Sequence, residues 1–318
     1  MRRDAGTPGG SAPDPARPRS FAERYGDGVG LGASLGGGGT FFVAWQLGYL
    51  ETLARHDVHI ALADRLVGTS AGSIVATSLV RGDLHEMFLE SKVLSLVPKM
   101  MRVLFPADAA KPSQQAAIDL YLHAQTSDVD TILAIGRAAR AADTPGPATM
   151  VRHLFLVIGE HWSSEALWMT TVDVDSGERC VITAETGVPV SDGAAASSAV
   201  PGIFAPQPIA GRTCMDGGVC GTTVHLDLLA GARKALVLCL YRDDELTTGM
   251  LTLAPGDLTR ELDALRASGT EIFFRAPEQH PMDIAGLMDP KAVPDAMAMG
   301  ARQAAEDLAT GGIAEFWT

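Results

Sequence analysis

A serine held between two glycines is the first feature of this sequence with chemistry in it. Gly68-Thr69-Ser70-Ala71-Gly72 follows the apolar pair Leu66-Val67 and leads into Ile74-Val75-Ala76. A G-x-S-x-G pattern between a strand and a helix sets its serine on a tight, strained elbow, hydroxyl above the sheet. Gly68 and Gly72 suit that turn, because side chains there would collide with the neighbouring strand and helix. A helix starting at Ala71 points backbone N–H groups and a positive dipole end at whatever Ser70 attacks. The same residues also suit an ordinary glycine-rich turn with a serine N-cap. Nucleophilic catalysis therefore needs further groups elsewhere in the chain: a base and a place for negative charge.

A place for charge lies about thirty residues upstream. Gly36-Gly37-Gly38-Gly39-Thr40 follows a small-residue strand, Val29 to Leu35, and precedes a helical stripe of Val43, Leu47, Leu50 and Ala54. A strand, a glycine run and a helix form an anion cradle of N–H groups. A P-loop would need G-K-[ST], where this chain has Thr40-Phe41-Phe42, and the glycine spacing is wrong for a dinucleotide fingerprint, although Asp57 and Asp64 lie in range. An oxyanion hole is the better use, each donor being worth about 3 kcal/mol of barrier.

The base is less obvious. Asp216 stands between a strand and Gly217-Gly218, where aspartate commonly serves a turn. None of the eight histidines sits in a short glycine-rich motif after a strand. His225 comes nearest, nine residues past Asp216, and reads equally as a core or helix-start histidine. A Ser70–Asp216 pair is the economical reading, with the carboxylate taking the serine proton and returning it to the leaving group.

These residues need a scaffold of strands alternating with helices, which is an α/β pattern. Strands are expected at 64–67, 166–174, 178–183, 211–215, 235–241 and 270–274. Helices are expected at 71–80, 113–124, 128–141, 147–160 and 293–308. Val293, Met297, Gly300, Ala301 and Ala304 form the inward stripe of the last helix. The small-residue run Ser191 to Val200 reads as a helix packed closely on the sheet, stopped by Pro201-Gly202. Residues 83–165 read as a helical insertion with a Met-rich stretch from Met87 to Phe105, serving either as core helices or as a mobile cap. Residues 1–27, rich in Pro, Gly and Arg, read as a disordered tail.

With 318 residues, 47% of them hydrophobic, the chain can bury a large core. A net charge of −13 argues against a nucleic-acid partner. No run of apolar residues is long enough for a transmembrane segment. Cys180, Cys214, Cys220 and Cys239 have neither C-x-x-C spacing nor nearby histidines at ligand spacing. They read as reduced thiols of a cytoplasmic protein without a metal site.

Three segments together resemble the patatin-like phospholipase family. Gly36-Gly37-Gly38-Gly39 looks like its oxyanion loop, and Gly68-Thr69-Ser70-Ala71-Gly72 matches its nucleophile elbow. Ala196-Ser-Ser-Ala-Val-Pro-Gly202 followed by Met215-Asp-Gly-Gly218 is similar to its segment leading to the D-G-[GA] aspartate. The resemblance runs in order from about residue 29 to about residue 241. It implies a three-layer α/β/α sandwich with a mainly parallel sheet over residues 28–318. It implies Ser70 as nucleophile, Asp216 as base, and Gly37, Gly38 and Gly39 as oxyanion donors, joined by the Ala71 N–H. Gly68, Gly72, Gly217 and Gly218 would support the turns. The implied activity is hydrolysis of acyl esters of lipids with no metal and no cofactor, on a lipid substrate met by transient membrane-surface contact. One departure stands out: the family loop continues G-G-G-x-[RK]-G, and Phe41 and Phe42 occupy the last two positions here. The two rings either line an acyl groove or pack the helix start, and their replacement of the basic residue and glycine leaves two alternatives to the hydrolase: a lipid-binding or regulatory protein with little turnover, or an acyltransferase using the same acyl-enzyme.

Overall fold

The computed structural model describes residues 13–95, 110–245 and 249–318. Apolar runs such as Leu66-Val67 and Ala235 to Leu238 are buried at successive positions. That is the mark of parallel strands covered on both faces. The described residues form one sheet of eight strands: β1 (Leu31–Leu35), β2 (Arg65–Gly68), β3 (Leu167–Asp173), β4 (Arg179–Ile182), β5 (Gln207–Ile209), β6 (Arg212–Asp216), β7 (Lys234–Leu238) and β8 (Glu271–Arg275). Their spatial order is β5-β6-β3-β2-β1-β7-β8, with β4 also on β3. The run from β3 to β8 is parallel, and β4 and β6 run against β3.

The register on β3 decides where the chemistry can go. β4 pairs with Met169 to Val172 and so takes one edge of β3. The other edge is shared, with β2 on Leu167 to Met169 and β6 on Thr171 to Asp173. Because β2 runs with β3 and β6 against it, their carboxyl ends point at each other. Gly68 stands opposite Met169 and Asp216 opposite Thr171. The residues that follow each strand are thus delivered to one place from two directions.

Helices cover both faces of the sheet, giving the three-layer α/β/α sandwich. Helix α1 (Gly39–Ala54) is buried on most of its surface, from Thr40 to Leu53, and not along a single stripe. Its partner is α10 (Val293–Ala309). A side chain on Gly48 would begin 2.1 Å from the Met297 carbonyl, and one on Gly300 would begin 2.1 Å from the Trp45 carbonyl. The two helices therefore cross at backbone contact, which only glycine permits at both points. Trp45 Nε1 donates to Gln303 Oε1 at 2.8 Å and the Tyr49 hydroxyl to Asp307 at 2.7 Å, so the polar groups at the crossing are paired. Helix α2 (Ala71–Arg81) follows β2 and α3 (Leu84–Ser95) packs beside it. On the other face, Gly32 abuts Leu229 and the Ser34 hydroxyl donates to the Val224 carbonyl at 2.5 Å.

Residues 110–165 form α4 (Pro112–Leu122), α5 (Val129–Ala141) and α6 (Pro147–Ile158). Tyr121, Ile132, Ile135 and Ala139 pack on Val172 and Met215 of the sheet, and Met150, Leu154 and Ile158 join the main core. The inner faces of these helices thus belong to the two core clusters. Within the Met-rich stretch, Met87 and Phe88 pack partly buried against the core. Residues 96–109 lie outside the described residues. The small-residue run becomes α7 (Val190–Ser197), fully buried at Ala194, Ala195 and Ala196. Three further helices, α8 (Asp257–Ala267), α9 (Ile284–Leu287) and α11 (Gly312–Phe316), complete the described α-helices.

The expectation of a disordered tail needs correction from residue 13 onward. Ala16 bridges Cys180 on the outer edge of β4; the Val181 N–H donates to the Pro15 carbonyl at 2.8 Å, and the Arg17 N–H to the Arg179 carbonyl at 2.9 Å. Arg179, wholly buried, pairs with Asp227 at 2.6 Å. A buried pair needs its remaining hydrogen-bonding positions filled. The segment supplies two of them: Arg179 also donates to the Pro18 carbonyl at 2.7 Å, and the Ser20 N–H donates to Asp227 at 3.2 Å. Proline forbids donation to a ladder, not acceptance from one.

Candidate active site

The elbow is as tight as its glycines suggest. Ser70 has φ 51° and ψ −119°, a conformation that costs a non-glycine residue on the order of 1–3 kcal/mol. The surroundings hold it there. Thr69 N–H donates to the Leu35 carbonyl at 3.1 Å, Gly72 N–H to the Thr69 carbonyl at 2.8 Å, and the Ser73 hydroxyl to the Ser70 carbonyl at 2.7 Å. The Ser70 N–H itself donates to Ser197 Oγ at 2.9 Å, a contact from the last residue of α7. A side chain on Gly72 would begin 1.8 Å from the Leu35 carbonyl oxygen, and one on Gly68 would begin 2.7 Å from Ser73 Cα.

The glycine loop passes directly against the serine. A side chain on Gly37 would begin 3.1 Å from Ser70 Cβ, and one on Gly38 would begin 2.6 Å from Phe42 Cβ. Gly36 N–H is occupied by the Leu238 carbonyl at 2.9 Å. By contrast, the N–H groups of Gly37, Gly38, Gly39 and Ala71 find no acceptor among the described residues. The latter two open α1 and α2, where first-turn N–H groups have no helical partner. Gly39 takes φ +63°, and a side chain there would begin 2.7 Å from the Leu287 carbonyl. All four residues line the same cleft as Ser70.

Asp216 arrives at this cleft from the end of β6. Across the junction of the strands, Thr69 Oγ1 and Thr170 Oγ1 lie 2.6 Å apart. Gly217 is needed to turn the chain, because a side chain there would begin 2.5 Å from Thr170 Oγ1. Gly218 N–H donates to Asp216 Oδ1 at 2.8 Å. The Asp216 side chain is buried, and burial pushes its pKa up to about 6, against the Gly218 N–H and the nearby Ser70 hydroxyl, which both pull it down. Serine and carboxylate therefore line one cleft, with the carboxylate's pKa raised toward neutrality.

The cleft holds a cavity of about 130 Å³ and is mostly apolar, with Val43, Ile74, Met150, Val200, Leu240 and Leu287 among its walls. Val43 is only half-buried on an otherwise buried helix because it faces this space. Phe41 and Phe42 do not line it. Both are buried, and Phe42 stacks on Trp45 with ring centroids 5.4 Å apart, so the pair packs the helix start. His225 is also outside the cleft lining. Its Nε2–H donates to the Gly217 carbonyl at 3.1 Å, and burial, with Arg179 and Arg19 nearby, holds its pKa well below the usual histidine value. It props the turn after Asp216 as a neutral ring.

Sequence reading missed three contributors. Ser197 lay inside the Ala196 to Gly202 segment without a role of its own, and its hydroxyl reaches the Ser70 backbone. Tyr121 comes from α4 and lines the cleft beside Gly218. The segment from Ile284 to Met288 closes over the glycine loop, with the Thr40 hydroxyl donating to the Leu287 carbonyl at 3.0 Å. No short motif marks Tyr121 or the segment from Ile284 to Met288.

The sequence matches the family model described as patatin-like phospholipase over residues 33–229. The fold is similar to the crystal structure of VipD from Legionella pneumophila, at 13% identity and a TM-score of 0.43 over 88% of this chain and 66% of that one. It is also similar to the type III effector protein ExoU, at 15% identity and a TM-score of 0.31, over 86% of this chain and 53% of that one. The chain thus spans less than two thirds of either protein's length. The family model covers well over half of the present chain, from β1 to the segment before β7, and includes the glycine loop, the elbow and Asp216: the chain belongs to the patatin-like phospholipase family.

Proposed function

We propose that this protein is a lipid acyl hydrolase that works through Ser70 and Asp216. The observation that carries the reading is the convergence of a strained serine, a buried carboxylate and four unpaired N–H groups on one apolar cleft. Ser70 Oγ attacks the ester carbonyl carbon and its proton passes to Asp216. The oxyanion is held by the N–H groups of Gly37, Gly38, Gly39 and Ala71. Asp216 then protonates the leaving oxygen as the carbon–oxygen bond breaks, and water resolves the acyl-enzyme by the same steps in reverse.

The cleft's aliphatic walls suit an acyl chain. Hydrolysis of an ester series of increasing chain length by wild type and Ser70→Ala tests the reading. Turnover that rises with chain length and falls to background in Ser70→Ala is the expected result. Normal hydrolysis by Ser70→Ala contradicts it.

A further inference from the structure

We propose that Tyr121 is a further catalytic residue, whose hydroxyl hydrogen-bonds the leaving-group oxygen while Asp216 protonates it. The inference rests on the Ser70–Asp216 reading above and adds a third group to it. Tyr121 sits in the last turn of α4, 8% exposed, and lines the cleft with Ser70, Asp216 and Gly218. A side chain on Gly218 would begin 3.2 Å from the Tyr121 hydroxyl and 3.1 Å from Asp216 Oδ1. The two oxygens therefore flank one point on the cleft wall, and the absence of a side chain at Gly218 keeps the gap between them open.

The Tyr121 hydroxyl makes no hydrogen bond to another described residue, although Asp216 is near enough to act on it through its charge. A phenol in such a site is a donor in want of an acceptor. Burial, and then the neighbouring Asp216 charge, push the Tyr121 pKa upward, so the proton stays on through the working range.

The chemistry leaves one step for this donor. When Ser70 Oγ bonds the acyl carbon, its proton goes to Asp216. As the bond from the acyl carbon to the leaving oxygen breaks, the electron pair stays on that oxygen and the proton returns to it from Asp216. An alkoxide leaving group carries substantial charge at this moment, and a hydrogen bond from Tyr121 lowers that charge without a proton leaving the phenol. A nitrophenolate leaving group stabilises its own charge and needs no such help.

Tyr121→Phe keeps the ring and removes only the hydroxyl, so two esters of one acyl chain separate the roles: an alkyl or glyceryl ester, and a p-nitrophenyl ester. The quantity read is kcat/KM, which reports the acylation half. The expected outcome is a loss of about 30-fold or more for the alkyl ester and less than about 3-fold for the nitrophenyl ester. Equal losses on both esters would mean a structural role, and no loss on either would mean none; both overturn the proposal. If Tyr121→Phe does not fold, 3-fluorotyrosine at the same position keeps the shape and makes the phenol a stronger donor. It should then raise the alkyl-to-nitrophenyl rate ratio, and an unchanged ratio overturns the proposal. Ser70→Ala in the same assay tells the two failures apart. Activity surviving there defeats the Ser70 reading itself. Silence there, with an unselective Tyr121→Phe, defeats only the assignment of Tyr121.

Discussion

β2 and β6 end facing each other on one edge of β3, yet they hold their functional residues by opposite means. At the end of β2 the backbone does the holding. Ser70 sits at positive φ, its N–H and carbonyl are both engaged, and two glycines bring strand and helix to contact. At the end of β6 the environment acts on a side chain. Asp216 is buried, receives one N–H, and ionises near pH 6. Ser70, the proposed nucleophile, is positioned by strain, and Asp216, the proposed base, is tuned by desolvation. Changes at one end should therefore break the fold, and changes at the other should break the chemistry.

The largest expected effect is at the tuned end. Asp216→Asn should lower kcat/KM by about 10³-fold, the usual worth of a positioned base. The same change should stabilise the protein at neutral pH. The folded state holds the Asp216 proton up to about pH 6, whereas the unfolded chain releases it near 3.8, the ordinary aspartate value. Between those values the folded state binds more protons, so stability declines as pH rises through that window, by on the order of 3 kcal/mol. Thermal unfolding of wild type should show that decline, and Asp216→Asn should lack it. Activity has the opposite slope, rising as the base ionises, with the acid limb of kcat/KM near pH 6.

At the strained end the next effect is on folding. Gly72→Ala puts a methyl 1.8 Å from the Leu35 carbonyl, backbone against backbone, and should cost about 3 kcal/mol or more. Gly82, at φ +81° but with nothing within 4 Å, is the control; Gly82→Ala should cost only about 1 kcal/mol of backbone strain. Equal unfolding midpoints for the two variants would remove the distinction between close approach and conformation.

Smaller effects sharpen the comparison. Ser197→Ala releases the Ser70 N–H and should slow phosphonylation of Ser70 by about tenfold, the worth of one hydrogen bond at a strained turn. His225→Gln should leave kcat within about tenfold of wild type, because the ring props Gly217 and takes no proton from Ser70. A loss as deep as that of Asp216→Asn would instead make the histidine the base.

The two ends also differ in how well the sequence announced them. Ser70 and the glycine loop depend on contacts within a few residues, so their spacing carries the geometry. Asp216 was legible through the glycines behind it, and its meeting with Ser70 depends on register along β3, which no local pattern encodes. Most main strands and helices lay within a few residues of expectation because burial on both faces leaves near-continuous apolar runs. β5 was missed because it is three residues long and contains Pro208, and α8 because its Leu258, Leu262 and Leu265 stand among charged residues. The segment from residue 13 escaped for another reason. Its prolines signal disorder, yet their carbonyls are what β4 and Arg179 use.

The pairing of Ser70 with Asp216 is tested most directly by the pH dependence of fluorophosphonate labelling, with the adduct located by mass spectrometry of the digested protein. Wild type should carry one adduct, on Ser70, forming at a rate that climbs through about pH 6. Asp216→Asn should label about 10³-fold more slowly and without that climb. An adduct elsewhere, or wild-type labelling of Ser70 in Asp216→Asn, would contradict the pairing.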